Sequence, residues 1–435
     1  MGTYGICKEC EQENTGYQWC IECNSKHFQQ NFKNWTSNND DINKLIQETQ
    51  LLSINHYRVL EWIPYNKFYD IEYIAKGGFG KVYKAKWIDG YIHHWDTNEN
   101  QNWKRFNSNE FVALKSLNNS ENVTLEFINE ITMHCKAIED SYISFIVRVY
   151  GITQDPETKN YMMVLQYAEN GSLRNYLNKY YSKLDWKTKL FDLWHIAYGL
   201  ETIHERELIH RDLHIGNILE FNGCTSITDM GLCKPANYNS SENSKNRIYG
   251  VLPYIAPEIL RGQNYTKAAD IYSFGIIMYE VISGLSPYYD LSHDENLAIK
   301  ICQGLRPRFN NIKAPQLIVH LIKRCLDANP LNRPKAREIS DILIKWNEYD
   351  NNQSEIGKQI KEAEKINTNN LPTSNMSSVN LSYEIHSGAV YTSRLLKFNN
   401  LPEPKNSDDY YEQNDNIISE KFSETLQIDL SQLKN

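Results

Sequence analysis

The sequence predicts an α+β fold with short appended segments at both ends, and three observations carry that prediction. A glycine-rich turn at residues 74–82 is flanked by alternating residues that read as two strands, and Val112-Ala113-Leu114-Lys115 reads as a third. Helical periodicity opens at Phe127-Ile128-Asn129-Glu130-Ile131 and returns at Ala269-Asp270-Ile271-Tyr272-Ser273-Phe274-Gly275. Finally, an ordered run of polar residues follows in His210-Arg211-Asp212, Asn217 and Asp229-Met230-Gly231. Loop capping explains any one of these residues, but not the set in this order.

Length and charge narrow the classes of function. At 435 residues, with 41% hydrophobic side chains, the chain has material for two folded units and a sizeable core. A formal net charge of -8 gives no support for nucleic-acid binding, which calls for a basic surface. No apolar run approaches a membrane span: Ile276-Ile277-Met278 is interrupted by Tyr279 and Glu280. Gly2 invites a myristoylation reading, but Ile6 stands where Ser or Thr is wanted. The expectation is a soluble protein of the cytoplasm or nucleus.

Residues 1–30 form the first segment. Cys7-Lys8-Glu9-Cys10 and Cys20-Ile21-Glu22-Cys23 make a CxxC…CxxC array, in which two-residue spacers let paired thiolates reach one tetrahedral ion. Zinc is the natural occupant, and four thiolates with no open position make such a site structural. A redox pair or an unstructured N-terminus with chance cysteines is the competing reading, and a docked protein partner is conceivable for so small a unit. The other five cysteines (Cys135, Cys224, Cys233, Cys302, Cys325) are scattered, as small buried apolar residues are. Residues 31–65 read as an Asn-rich connector, with an amphipathic helix marked by Ile42, Leu45, Ile46 and Leu51 that is placed to pack on the next domain.

The main domain is expected over 66–347. Its glycine turn, Ile74-Ala75-Lys76-Gly77-Gly78-Phe79-Gly80-Lys81-Val82, offers backbone N–H groups to phosphates, although a lone glycine turn is weak evidence. Lys115 strengthens it, as a strand lysine able to reach the α- and β-phosphates, with Glu130 as its anchor on the following helix. Residues 88–109 interrupt the strands with Asp89-Gly90, a hairpin signal. Tyr91, Trp95 and Trp103 there either form a docking face or cover their own loop. Further on, Asp212 is the carboxylate that orients an incoming hydroxyl, while Asn217 and Asp229 hold magnesium, or manganese in its place.

Together these residues resemble a eukaryotic-type protein kinase over about 68–347, of the tyrosine-kinase-like or serine/threonine type. The run that includes the cysteine module and the tail is similar to kinases expanded in arbuscular mycorrhizal fungi. The resemblance implies a two-lobed fold, with a small β-rich lobe bearing one main helix, a large helical lobe, and ATP between them. It further implies that Val82 and Ala113 cover the adenine with Leu219 beneath it. Leu165 would guard the back of the pocket, and Gln166-Tyr167-Ala168 would form the hinge. It implies protein substrates, modified on Ser or Thr and conceivably Tyr.

Four positions depart from the pattern. Ala75 replaces the first glycine of the loop and Met230 replaces the usual Phe, both substitutions the fold tolerates. His214 stands where serine/threonine kinases carry a lysine aimed at the γ-phosphate, and Val251 where they carry a threonine. Either His214 partly substitutes for the lysine, or it is a packing residue. Weakened transfer is the expectation, and a pseudokinase scaffold is the alternative.

Arg211 suggests an activation segment ordered by an anion, with Ser240, Ser241 or Ser244 as the phosphosite. Glu258 of Ala256-Pro257-Glu258 is expected to pair with Arg333, and Asp270 to tie down the backbone near His210. Residues 348–435 read as a polar tail. In it an exposed helix spans Ile356 to Ile366, and disorder is expected from 370 onward, including the acidic tyrosine run Asp408-Asp409-Tyr410-Tyr411-Glu412.

Overall fold

The computed structural model describes residues 4–76, 80–97, 101–117, 124–138, 144–236, 248–309, 313–348, 353–369 and 384–407. The chain divides into two compact units, one of residues 1–176, 195–210 and 215–237, the other of 177–194, 211–214 and 238–435.

The first unit is organised by a six-stranded sheet. Its strands, within a chain-order numbering, are β1 (Glu61–Trp62), β2 (Phe68–Lys76), β3 (Gly80–Trp87), β6 (Glu110–Leu117), β7 (Val149–Gln154) and β8 (Tyr161–Gln166), and the hairpin β4 (Tyr91–Asp96) and β5 (Asn102–Phe106) lies outside it. The order across the sheet is β1-β7-β8-β6-β3-β2. All neighbours are antiparallel except β1 and β7, which run parallel. A Cβ at Gly151 of β7 would lie 2.1 Å from the Glu61 carbonyl oxygen, so only glycine admits β1 at this edge.

The helices α1 (Ile21–Asn31), α2 (Asp40–Leu52) and α3 (Leu125–Ala137) also belong to this unit. Asn39 caps α2 by accepting from the Ile42 amide at 3.0 Å, and Asp40 and Asp41 favour the positive end of the helix dipole. Thr124 caps α3 through the Phe127 amide at 3.3 Å. Ile42 and Ile46, one turn apart on α2, are fully buried with Phe127 and Ile131 of α3 and with Val149, Ile152, Met163 and Leu165 of the sheet. The connector is therefore a structural wall behind α3, because its apolar stripe matches an uncovered face of that helix.

The insert's aromatics meet within their own hairpin, Trp95 against Trp103 and Tyr91 against Phe106, as one of the two readings had it. The hairpin also covers the cysteine segment. Trp103 stacks on Phe28 at 4.2 Å, Trp95 stacks on His27 at 3.7 Å, and Trp19 is wholly buried with Phe28, Val59 and Ile92. Neither small piece has a core alone, so each provides the other's.

The second unit is helical. Its central helix, Lys267–Ser283, is buried from Ala269 to Ser283 and ends at Gly284, whose left-handed φ of +72° lets its amide reach the Glu280 carbonyl. Gln316–Cys325 packs against it, with Glu295–Cys302 and Ala336–Asn347 nearby in the chain. Glu258 and Arg333 pair as expected, bidentate at 2.6 and 2.8 Å and almost fully buried.

The tail departs from expectation. Helix Glu355–Asn369 forms, but it is not merely exposed: Ile356, Ile360 and Ala363 are buried along one face, and Gln359 accepts from the Leu317 amide at 3.0 Å. Residues 384–407 were expected to be disordered, yet they lie along this unit. Arg394–Leu396 pairs antiparallel with Ile248–Gly250, Leu396 and Leu401 are buried, and Arg261 makes a two-pronged ion pair with Glu403. Tail composition is polar on average, but a few apolar side chains and a set of backbone hydrogen bonds are enough to hold it. The run Asp408–Glu412 and the serines 240, 241 and 244 lie outside the described residues.

Candidate active site

In the first unit Lys115 sits on β6, flanked in register by Val82 on β3 and Met163 on β8. Its ammonium lies 2.7 Å from Glu130 of α3 and 3.2 Å from Asp229. Burial alone would depress this amine, but the Asp229 and Glu130 carboxylates outweigh it and hold the group protonated. Burial likewise would raise Asp229, and Lys115 brings it back below the usual carboxylate range. Asp229 has a left-handed φ of +64°, a backbone state maintained at a cost by its surroundings. Gly231, two residues on, approaches so closely that a Cβ would stand 3.3 Å from both the Asp229 and Glu130 carboxylates. Met230 is fully buried, filling apolar space as the sequence implied.

Asn217 closes the short helical turn Ile215–Asn217, and its carbonyl accepts the Thr228 amide at 2.9 Å, beside Asp229. His210 bonds through Nε2 to the Thr228 carbonyl at 3.1 Å, fixing the same stretch. The Asn217 backbone is thus paired with the residue before Asp229, and both residues carry side-chain oxygen, the hard donor that magnesium takes. Ala113 pairs in register with Leu165, and Val112 with Gln166. Ala113 and Leu219 both stay half-buried at the edge of the main core, while Leu165 and Ala168 are buried. Apolar residues expected to meet the adenine therefore share one unit. Ile74, Ala75 and Lys76 end β2 and Gly80, Lys81 and Val82 begin β3, with Ala75 opposite Val82 and Lys76 opposite Lys81. The turn itself, Gly77, Gly78 and Phe79, lies outside the described residues.

The second unit holds Asp212. Asp270 accepts the Arg211 amide at 3.0 Å, in keeping with the tethering role expected of it, and Arg211 takes a left-handed φ of +73° with its guanidinium over the Tyr265 ring. Both Asp212 oxygens accept from the hydroxyl of Ser393, at 2.9 and 2.7 Å. His214 Nε2 lies 3.2 Å from that hydroxyl and 3.9 Å from Asp212. Val251 is buried, leaving no polar group in its place. Ser393 was not anticipated from the sequence. The only local signal is that apolar Ala389-Val390 and Leu395-Leu396 flank it on either side.

The four N-terminal cysteines converge, with all Sγ atoms within 4.8 Å of one another. Cys7 and Cys23 are 3.8 Å apart and Cys10 and Cys20 are 3.6 Å apart, close to the ~3.8 Å edge of a tetrahedron with Zn–S bonds of about 2.3 Å. Burial raises the Cys20 and Cys23 thiols, so a bound cation is what would make them thiolates.

The first unit thus holds a lysine between two carboxylates with an asparagine near the second in the chain fold, and the second unit holds a carboxylate that accepts a hydroxyl. The chain belongs to the protein tyrosine and serine/threonine kinase family, whose family model matches residues 70–343. Among curated relatives it is 27% identical over 335 residues to cysteine-rich receptor-like protein kinase 6 of Oryza sativa subsp. japonica, covering 72% of this chain and 44% of that one. It is 28% identical to receptor-interacting serine/threonine-protein kinase 4 of Mus musculus (62% and 32% covered) and to tyrosine-protein kinase SPK-1 of Girardia tigrina (62% and 52%). The chain thus spans at most about half the length of these relatives. Among the described residues no helix is long and apolar enough to cross a membrane.

Proposed function

We propose that the chain transfers the γ-phosphate of ATP to hydroxyl groups of proteins. The twin contact of Lys115 with Glu130 and Asp229 is the observation that carries this, because it orients a cation for phosphate and a carboxylate for metal with no other evident purpose. In this reading Lys115 holds the α- and β-phosphates, and Glu130 keeps it in place. Asn217 and Asp229 hold magnesium, which when bound neutralises charge developing on the phosphates. Asp212 orients the acceptor hydroxyl and takes its proton. His214, within hydrogen-bond reach of a hydroxyl at Asp212, steadies the acceptor in the space a lysine takes elsewhere. Completeness of the set argues against the scaffold alternative. The cysteine module is a zinc-held brace for the insert hairpin, and nine cysteines with no disulfide among them suit a reducing cytosol.

The test is incubation of the purified full chain with radiolabelled ATP and magnesium on a mixed array of Ser, Thr and Tyr peptides, with Asp212→Asn as control. Label that appears with wild type and vanishes in the variant supports the proposal. No label from wild type refutes it.

A further inference from the structure

The tail places a serine where an acceptor belongs. Ser393 donates to both Asp212 oxygens, at 2.9 and 2.7 Å, and the backbone on either side is held as a peptide substrate would be. C-terminal to it, Arg394, Leu395 and Leu396 add a strand to Gly250, Tyr249 and Ile248, the strand-addition mode by which extended peptides are recognised. Leu396 is buried, and the Arg394 guanidinium reaches the His293 carbonyl at 2.6 Å. N-terminal to it, the Val390 backbone meets the His293 ring and the Tyr391 hydroxyl donates to the Pro287 carbonyl at 3.1 Å. The Tyr249 hydroxyl donates to the Ser393 carbonyl at 3.3 Å. Gly250 makes room: it has a left-handed φ of +146°, and a Cβ there would stand 3.3 Å from Asp212. All of these residues belong to one unit.

We propose that Ser393 is a phosphoacceptor of the chain's own transfer reaction, seated in cis by residues 390–396, and that while unmodified it keeps other protein substrates from Asp212. This rests on the kinase reading above. In the step, Ser393 Oγ forms a bond to the γ-phosphorus of ATP while the bond from that phosphorus to the β,γ-bridging oxygen breaks. ADP leaves with the electron pair, and the hydroxyl proton passes to Asp212 and then to solvent. The product carries about -1.5 to -2 charge beside the Asp212 carboxylate, and that repulsion unseats the strand. The chain is therefore its own first substrate, and modification opens the site. Acceptors recognised afterwards share the seat, with a strand-forming segment, arginine just after the hydroxyl and an apolar residue two further on.

The experiment uses the full chain. Wild type is incubated with ATP and magnesium at widely separated protein concentrations, and Ser393 is followed by peptide mass mapping. Expected are phosphate on Ser393 at a rate independent of protein concentration, none in Asp212→Asn, and none in Ser393→Ala. A second arm needs no nucleotide: amide exchange at 248–250 is compared in wild type and Leu396→Asp, where loss of a buried leucine should speed exchange roughly tenfold. That variant should also phosphorylate a peptide spanning 388–398 faster than unmodified wild type does. Label on external peptides with Ser393 untouched overturns this proposal alone, as does modification that scales with protein concentration or equal exchange in the two chains. A chain that modifies neither itself nor any peptide overturns the kinase reading and this proposal with it.

Discussion

Replacing Arg333 by methionine removes one half of the most deeply buried ion pair described. Arg333 donates to both Glu258 oxygens at 2.6 and 2.8 Å, to the Asp327 carbonyl at 2.8 Å and to the Ala268 carbonyl at 3.0 Å. Methionine keeps an apolar contact with the Tyr272 ring, which lies 5.2 Å from the guanidinium, so the change is mainly one of charge. Glu258 is only 3% exposed and would be left as an uncompensated buried charge. Such losses cost about 3–5 kcal/mol, and two orphaned carbonyls fall within that range. At about 4 kcal/mol the folding equilibrium changes by nearly three decades. With a urea slope of about 3 kcal/mol per M, the unfolding midpoint of this unit drops by about 1 M. Urea titration followed by tryptophan fluorescence reads that shift. The double change Glu258→Leu with Arg333→Met should recover most of the loss, because removing both charges removes the desolvation cost as well. A single variant within about 1 kcal/mol of wild type, or a double variant no better than the single, refutes the reasoning.

Three further outcomes are expected. Ile46→Ala, in the connector helix, should destabilise the first unit by about 2–5 kcal/mol in the same titration, since Ile46 is fully buried against α3; a loss near zero would mean the helix is detachable. Acid should weaken the fold below about pH 6.5. Burial pushes His134 down to about 3 and His195 to about 4, so both stay neutral when folded while the unfolded chain takes up their protons. Stability then falls as pH drops from the unfolded value toward the folded ones, by up to about 1.4 kcal/mol per pH unit for each histidine; a flat profile between pH 6.5 and 5 contradicts this. Elemental analysis should find one zinc per chain, and Cys23→Ser should abolish it and shift Trp19 and Trp103 fluorescence as the packing of hairpin and module loosens. Zinc retained at full occupancy in that variant would rule out the four-thiolate site.

Much of the proposed site was legible from residue order, for a physical reason. The proposed phosphoryl transfer needs specific atoms at short local spacings, so Asp212, Asn217 and Asp229 are written close together, and Lys115 with Glu130 occupies one strand and the next helix. The stripe Ile42–Ile46 was also a local signal, of an amphipathic helix. What order could not convey is pairing across long separations. Nothing in the insert says that Trp103 belongs to Phe28, because aromatic faces are interchangeable until geometry selects a partner. Nothing in the tail says that Ser393 belongs to Asp212, 181 residues earlier, because a short segment binds through backbone hydrogen bonds that any sequence carries. Chemistry was set down in the order of the side chains; which hydroxyl meets it was decided only when the chain folded back on itself.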